Sequence, residues 1–431
     1  MLALLIAFSA SASVNLEQLS AYRSEILKRG AVATSRNKMG REEGLAELFV
    51  GANLETNCNT LISRGLSRGS VRKQPWSGHT WSHENGGLAF RWADPSMPSD
   101  YGNGRNYVQR VRWNQTYWNY LSPAEKYDYL TGLTPGENGS LTKQQWGLGA
   151  EEYRTTGQVT GWHGICHGWS PASIYMPQPK RDVLFNFPEG QLSFTIDDIK
   201  AIGALYWANG KYESVFAGWR CNEANPAHNA DGRILDSKCF DVNPGDWHLA
   251  LTNMVGARRE PFIIDAAETL QIWNFPVTSY SMQFFDPTNF DRRSTSPQGL
   301  FRSRSGTPNL RHGQFRSPKT VWVIGVVSTI LVADNSNPGE RRNLQKEFTF
   351  TYDLELDENY QVIGGEWRNA ARPDFLWRRK DQQVPMPHTG GDVQLDMWRM
   401  GDANWRRASL ENTTKGMPIK FFVEQLFQLA Q

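Results

Sequence analysis

The chain predicts an α+β fold, with helices concentrated in its first half packed on an antiparallel sheet drawn from the second. Three observations carry this. Two capping signatures, Ser122-Pro123-Ala124-Glu125 and Thr195 with Asp198, open helical periods before residue 210. Apolar residues alternate through Val321–Val332 and Lys346–Leu356, the period of strands. The 431 residues, 39% of them hydrophobic, suffice for a large buried core.

The elements follow in chain order. Leu2 to Phe8 is a short apolar run followed by Ala10-Ser11-Ala12, an A-x-A cleavage pattern, so residues 1–13 read as a signal peptide. Leu16, Leu19, Ile26 and Leu27 are spaced as on a helix that ends at Gly30. A second helix is expected through Leu45, Leu48, Leu54, Cys58, Leu61 and Ile62. Together these make 14–75 a helical N-terminal segment with the character of a removable propeptide. The remainder, 76–431, reads as one catalytic domain with a nucleophile half (76–215) and a β-rich half (240–431). Strands and loops begin at the Trp-, Gly-, His- and Asn-rich run from Trp76 to Trp92. Ser122 caps a short helix through Tyr127 and Leu130. Thr195 caps a longer one with Ile199, Ile202, Leu205 and Tyr206 on one face. Further on, Trp247–Leu251 and Phe262–Asp265 read as two short strands joined by a turn at Gly256–Pro261. Residues 291–319 hold seven basic residues and one acidic, Asp291, and read as a surface loop. Trp367–Arg379 is a mixed aromatic and basic stretch.

Composition excludes several classes. Lys+Arg 46 against Asp+Glu 44 leaves a formal charge of +2, which predicts no nucleic acid partner. No run of about 18 apolar residues predicts a membrane span. Aromatic residues reach 12%, with 17 Trp, enough to line grooves as well as a core. With an exported start, the four cysteines can pair; Cys221 and Cys239 bracket a polar, turn-rich segment and are the natural bridge. Cys58 and Cys166 remain, either paired as a latch or with Cys58 simply buried.

The most informative segment is Gly161-Trp162-His163-Gly164-Ile165-Cys166-His167-Gly168-Trp169-Ser170-Pro171. A cysteine among glycines and aromatics, running into a helix start, has a nucleophile's surroundings, since the helix dipole lowers a thiol pKa. A thiol nucleophile needs a base and a group to orient the base. His167 adjoins the cysteine, but neighbouring side chains point apart. His228 lies inside the presumed disulfide loop. His248 leads into an apolar strand, and Asp265 closes the next strand, where a carboxylate is costly to bury unless paired. The ordered set Cys166, His248, Asp265 is therefore the expected catalytic constellation, with Asn274 as the fallback for the third position. His163 and His167 are four apart, but the glycines beside them disfavour a zinc helix. Asn229-Ala230-Asp231-Gly232 has the start of a calcium loop without its closing Glu.

Gly164-Ile165-Cys166-His167-Gly168-Trp169-Ser170-Pro171-Ala172 resembles the nucleophile segment of the transglutaminase elicitor family, known from oomycetes and some marine bacteria. Asp246-Trp247-His248-Leu249-Ala250-Leu251-Thr252-Asn253 is similar to that family's histidine segment. Gln271-Ile272-Trp273-Asn274-Phe275-Pro276-Val277 resembles its elicitor peptide, with Phe275 where Gln is expected. The resemblance implies a papain-like cysteine-proteinase fold and a secreted, monomeric protein-glutamine gamma-glutamyltransferase. It also implies substrates that are proteins bearing glutamine and lysine. Cys166 is then the nucleophile, His248 the base and Asp265 the orienting acid, with Trp162, Trp169 and Trp247 lining the substrate channel. The Cys166 amide supplies one oxyanion donor, and Trp162 and Gln158 are candidates for the second. No cofactor is required by this chemistry; calcium dependence, common among transglutaminases, stays open. The alternatives are a secreted cysteine peptidase or amidase on the same residues, and a non-catalytic aromatic-rich surface-binding protein.

Overall fold

The computed structural model describes residues 45–431 apart from 52, 112–114, 189, 222, 224, 231–232, 237–238, 267–270, 381–384, 386–402 and 414–415. The expected signal peptide and the helix at 16–29 lie outside the described residues. Twelve strands occur among those described: β1 (Arg68–Ser70), β2 (Val183–Phe187), β3 (Gly190–Phe194), β4 (Ser214–Gly218), β5 (Ile263–Asp265), β6 (Asn274–Asp286), β7 (Asn289–Ser294), β8 (Arg302–Ser303), β9 (Trp322–Ala333), β10 (Gln345–Leu356), β11 (Val362–Trp367) and β12 (Phe375–Arg379). Ten of them form one sheet in the order β11-β10-β9-β6-β5-β12-β4, with β1 and β7 on β6 and β8 on β9, while β2 and β3 make a separate hairpin. The pairings are antiparallel throughout. This is the mixed helix-and-sheet class the sequence predicts.

The strands form where β-branched and aromatic residues concentrate. β9 and β10 pair without a slip from Gln345↔Ala333 to Leu356↔Trp322, and their apolar residues fill the centre of the core. Both predicted capping boxes are present: Ser122 and Glu125 close one on the Pro123–Leu130 helix, Thr195 and Asp198 the other on Ile196–Asn209. Asp198 also accepts from Lys126 Nζ at 2.6 Å, tying the two helices together by a buried ion pair.

Three local expectations are corrected. The single helix expected over Leu45–Ile62 is two, Leu45–Val50 and Cys58–Ser63. The backbone between them turns left-handed at Gly51 and Asn53 (φ 84° and 67°), a conformation no α-helix accommodates. The strand expected at Trp247–Leu251 is a helix, Pro244–Ala250, continued by a π-helical turn over Leu251–Arg258. Asn243 caps it by accepting from the Gly245 N–H at 2.8 Å, and Pro244 occupies the first helical position, a start signal that outweighs the apolar run. The basic 291–319 segment is only partly loop: it holds the end of β7, all of β8 and Arg316, which is fully buried against Asp353. Within 14–75, the described part is built into the same core: β1 lies in the sheet, and Phe49 and Cys58 are fully buried. A cut after residue 75 removes all three.

Candidate active site

The cysteine segment folds as predicted, into a loop that enters a helix at the cysteine itself. The helix spans Cys166–Tyr175, and its cap residue Ile165 supplies no side-chain bond. The flanking glycines are required by close approach rather than by unusual dihedrals. A Cβ on Gly164 lies 2.5 Å from the Thr80 carbonyl oxygen, and one on Gly168 lies 2.2 Å from that of Ala204 on the Ile196–Asn209 helix. Ile165 N–H donates to the same Thr80 carbonyl at 2.7 Å. On the other side, Ser170 Oγ donates to the Asn274 carbonyl at 2.7 Å, locking the helix onto the start of β6. The first turn of the helix is thus pinned from both flanks.

Cys166 points at that junction. Its thiol donates to the Ile272 carbonyl at 3.6 Å and receives Asn274 Nδ2–H at 3.4 Å. Backbone N–H groups of Asn274 and His167 also reach the sulfur and favour its thiolate. Burial acts the other way and dominates, with a smaller contribution from the Asp265 charge, so the thiol sits above its ordinary range. The resting form is therefore a protonated thiol, 6% exposed and covered by a main-chain carbonyl.

Asp265 ends β5 opposite Asn274, and its Oδ1 accepts from the Trp273 N–H at 2.9 Å. Behind it stand Asp374 and Arg220, both close enough to interact electrostatically with Asp265. Burial and the neighbouring carboxylates of Asp265 and Asp241 push Asp374 far up, so it is protonated at neutral pH. Two buried carboxylates this close do not both ionise. The proton is placed on Asp374, and Arg220 lies within electrostatic reach of both carboxylates. Asp374 also accepts from the Cys221 N–H at 3.5 Å, and Cys221 is bonded to Cys239, the predicted disulfide.

The structure brings together Cys166, Asp265 and Asn274, but not His248. His248 lies within its helix, and its ring is hydrogen-bonded through Nδ1 to Tyr352 Oη at 3.1 Å. No neighbouring charge acts on it; burial alone lowers its pKa to about 3. A histidine paired with Asp265 would be displaced in the opposite direction. Trp169 and Trp247 are fully buried and offer no surface to a ligand; their indole N–H groups donate to the Trp76 carbonyl (3.2 Å) and Ser328 Oγ (3.1 Å). Trp162 is half-buried against the His163 ring, at 4.2 Å between centroids. Gln158 is exposed, just beyond the Ala150–Thr156 helix. His167 is buried, and its ring bonds to the Ala208 carbonyl. The Cys58–Cys166 latch is not formed: both are free thiols. Cys58 is sealed in the core, where burial pushes it up to about 12. The calcium-loop positions Asp231 and Gly232 lie outside the described residues. Sequence reasoning missed Trp377, whose Nε1–H donates to Asn274 Oδ1 at 2.7 Å, and the Asp374–Arg220 pair behind Asp265. No local pattern marks contacts between residues so far apart in the chain.

A thiol at a helix start, set against a sheet-borne carboxylate in an α+β frame, defines a class of cysteine-centred proteins. The model of the transglutaminase elicitor family matches residues 44–390. The chain belongs to that family. Among solved structures it is similar to the GP42 transglutaminase from Phytophthora sojae, with a TM-score of 0.57 at 18% identity over 91% of this chain and 97% of that one. No curated protein sequence matches it.

Proposed function

We propose that the protein is a secreted protein-glutamine gamma-glutamyltransferase of papain-like arrangement, with Cys166 as nucleophile and Asp265 as the group that handles its proton. The observation that carries this reading is the buried thiol at a helix N-terminus, with N–H donors on the sulfur and the Asp265 charge in reach. Membership of the transglutaminase elicitor family supports the reaction class. No helix among the described residues is long and apolar enough to cross a membrane, and the Cys221–Cys239 disulfide suits an oxidising compartment.

The chemistry balances on these groups. The thiol proton passes to Asp265 as sulfur attacks the carboxamide carbon of a glutamine side chain. The carbonyl π pair moves onto oxygen, and its return expels ammonia, which takes the proton from Asp265. The S–C bond formed and the C–N bond broken leave a thioester. A lysine amine then attacks the thioester carbon, giving an isopeptide and regenerating the thiol; water in the same place gives glutamate. A carboxylate beside a neutral thiol suits this relay: its charge keeps the resting thiol protonated, and the thiolate formed on transfer holds the proton on the carboxyl. Substrate entry requires the Ile272 carbonyl to release the sulfur.

Incubation with a fluorescent primary amine and a glutamine-rich acceptor protein tests the reading. Expected is amine incorporation that is lost in Cys166→Ala and retained within a few-fold in His248→Gln. Cleavage or ammonia release without incorporation points to a peptidase or amidase. Absence of any Cys166-dependent activity leaves a binding protein. Loss of activity in a folded His248→Gln variant restores the histidine as base.

A further inference from the structure

We propose that Asn274 is the side-chain oxyanion donor of this site, and that Trp377 is the positioning residue that aims it. This rests on the reading of Cys166 as nucleophile. Asn274 Nδ2 lies 3.4 Å from Cys166 Sγ. An amide can present either its N–H groups or its carbonyl to a neighbour, and the two ends differ in sign. Here the choice is forced. Trp377 Nε1 is a donor only, and it lies 2.7 Å from the other end of the same amide. That end must be Oδ1, so the N–H groups face the sulfur.

Every part of this clamp is fixed. Asn274 is 4% exposed and Trp377 1%. Asn274 opens β6 in register with Asp265 on β5, and β5 pairs with β12, which carries Trp377 beside Ile263. The Asn274 carbonyl receives Ser170 Oγ from the nucleophile's own helix. A preorganised N–H beside the attacking sulfur requires no reorganisation when charge moves to the carbonyl oxygen, which is where such donors act most strongly. In the resting enzyme the same N–H favours the thiolate. Neither Trp162 nor Gln158 is held in this way. Gln158 is exposed, and no polar contact fixes Trp162 on the thiol.

The clamp makes two separable predictions. The first concerns the thiol alone: the pH profile of iodoacetamide alkylation at Cys166, read by peptide mass spectrometry. Asn274→Ala removes the N–H and shifts the profile to higher pH, slowing alkylation at pH 7 at least fivefold. The second concerns turnover: amine incorporation falls in kcat by roughly 10²- to 10³-fold with KM little changed, the size expected for one oxyanion donor. Trp377→Phe keeps the aromatic bulk and lets the amide turn, so both effects appear in the same direction but smaller. The double variant is no worse than Asn274→Ala alone, because Trp377 acts through the amide. An Asn274→Ala profile superimposed on the wild type, with turnover within threefold, overturns the proposal; additive losses in the double variant remove Trp377 from it. If Asn274→Ala does not fold, Asn274→Leu fills the site while presenting neither an N–H nor a charge to the sulfur, and the same profile decides. If the wild type incorporates no amine, the transferase reading fails, while the alkylation profile still decides the contact.

Discussion

Asp265 and Asn274 act on one sulfur with opposite signs, and this separates their roles experimentally. The Asp265 charge raises the Cys166 pKa, whereas the Asn274 N–H lowers it. Asp265→Asn keeps the shape and still offers an oxygen to the Trp273 N–H, but withdraws the charge. Cys166 should then alkylate faster at a given pH, because its profile moves down. Amine incorporation should nonetheless fall roughly 10²- to 10⁴-fold, the range for loss of a positioned proton acceptor. A thiol that becomes more reactive while turnover collapses is the mark of a lost base. Parallel loss of both readouts would show only a damaged fold. The nucleophile was legible in the sequence because its needs are local: glycines for close approach and a helix start at the thiol. Asn274 was legible only as the alternative to Asp265, and Trp377 not at all, since their pairing rests on strands more than a hundred residues apart.

At the scale of elements, the nucleophile's position depends on how closely two helices approach. Gly168 faces Ala204 and Ala208 on the Ile196–Asn209 helix, and an added Cβ lies 2.2 Å from the Ala204 oxygen and 2.7 Å from the Ala208 nitrogen. Backbone atoms of a packed helix yield only by moving the helix. Gly168→Ala should therefore cost about 1–3 kcal/mol of stability, read from the denaturant midpoint. It should also lower activity in the protein that remains folded, because Cys166 shifts with its helix. Gly147 is the matched control, a helical glycine with nothing within 4 Å of its Cβ position. Gly147→Ala should be neutral to stabilising by up to about 1 kcal/mol. Equal effects at the two sites would remove the packing argument. Other elements announced themselves through single residues, notably Ser122 and Thr195 as caps. The helix at His248 was concealed because Trp247, His248, Leu249, Ala250 and Leu251 are all buried. An apolar run buried on every side has no period to read, and the Asn243-Pro244 start was its one distinguishing mark.

For the whole molecule, buried histidines set the response to acid. His79, His83, His167 and His248 are neutral in the fold, with pKa values lowered by burial to about 4, 3, 4 and 3. In the unfolded chain each titrates near 6.5. Below that value the unfolded state binds more protons than the native one, so their contribution is full above pH 6.5 and is lost as pH falls towards 4. Asp128 and Asp374 oppose this. Burial raises Asp128 to about 7 and Asp374 further, so both favour the fold in acid and lose that contribution as pH rises. Near pH 5 the four histidines outnumber the two acids, which gives a net slope of about two protons, or about 2.7 kcal/mol per pH unit. Stability should therefore climb from pH 4.5 to about 6.5 and level or decline above it, where the histidine contribution is complete and Asp374 remains. Thermal unfolding across pH 4.5–8 measures the curve. His248→Gln should flatten its acid limb by about one proton, whatever it does to stability at pH 7, because the slope counts protons and not contacts. An acid limb unchanged in that variant would mean that His248 is already charged in the fold, which its burial beside Tyr352 argues against.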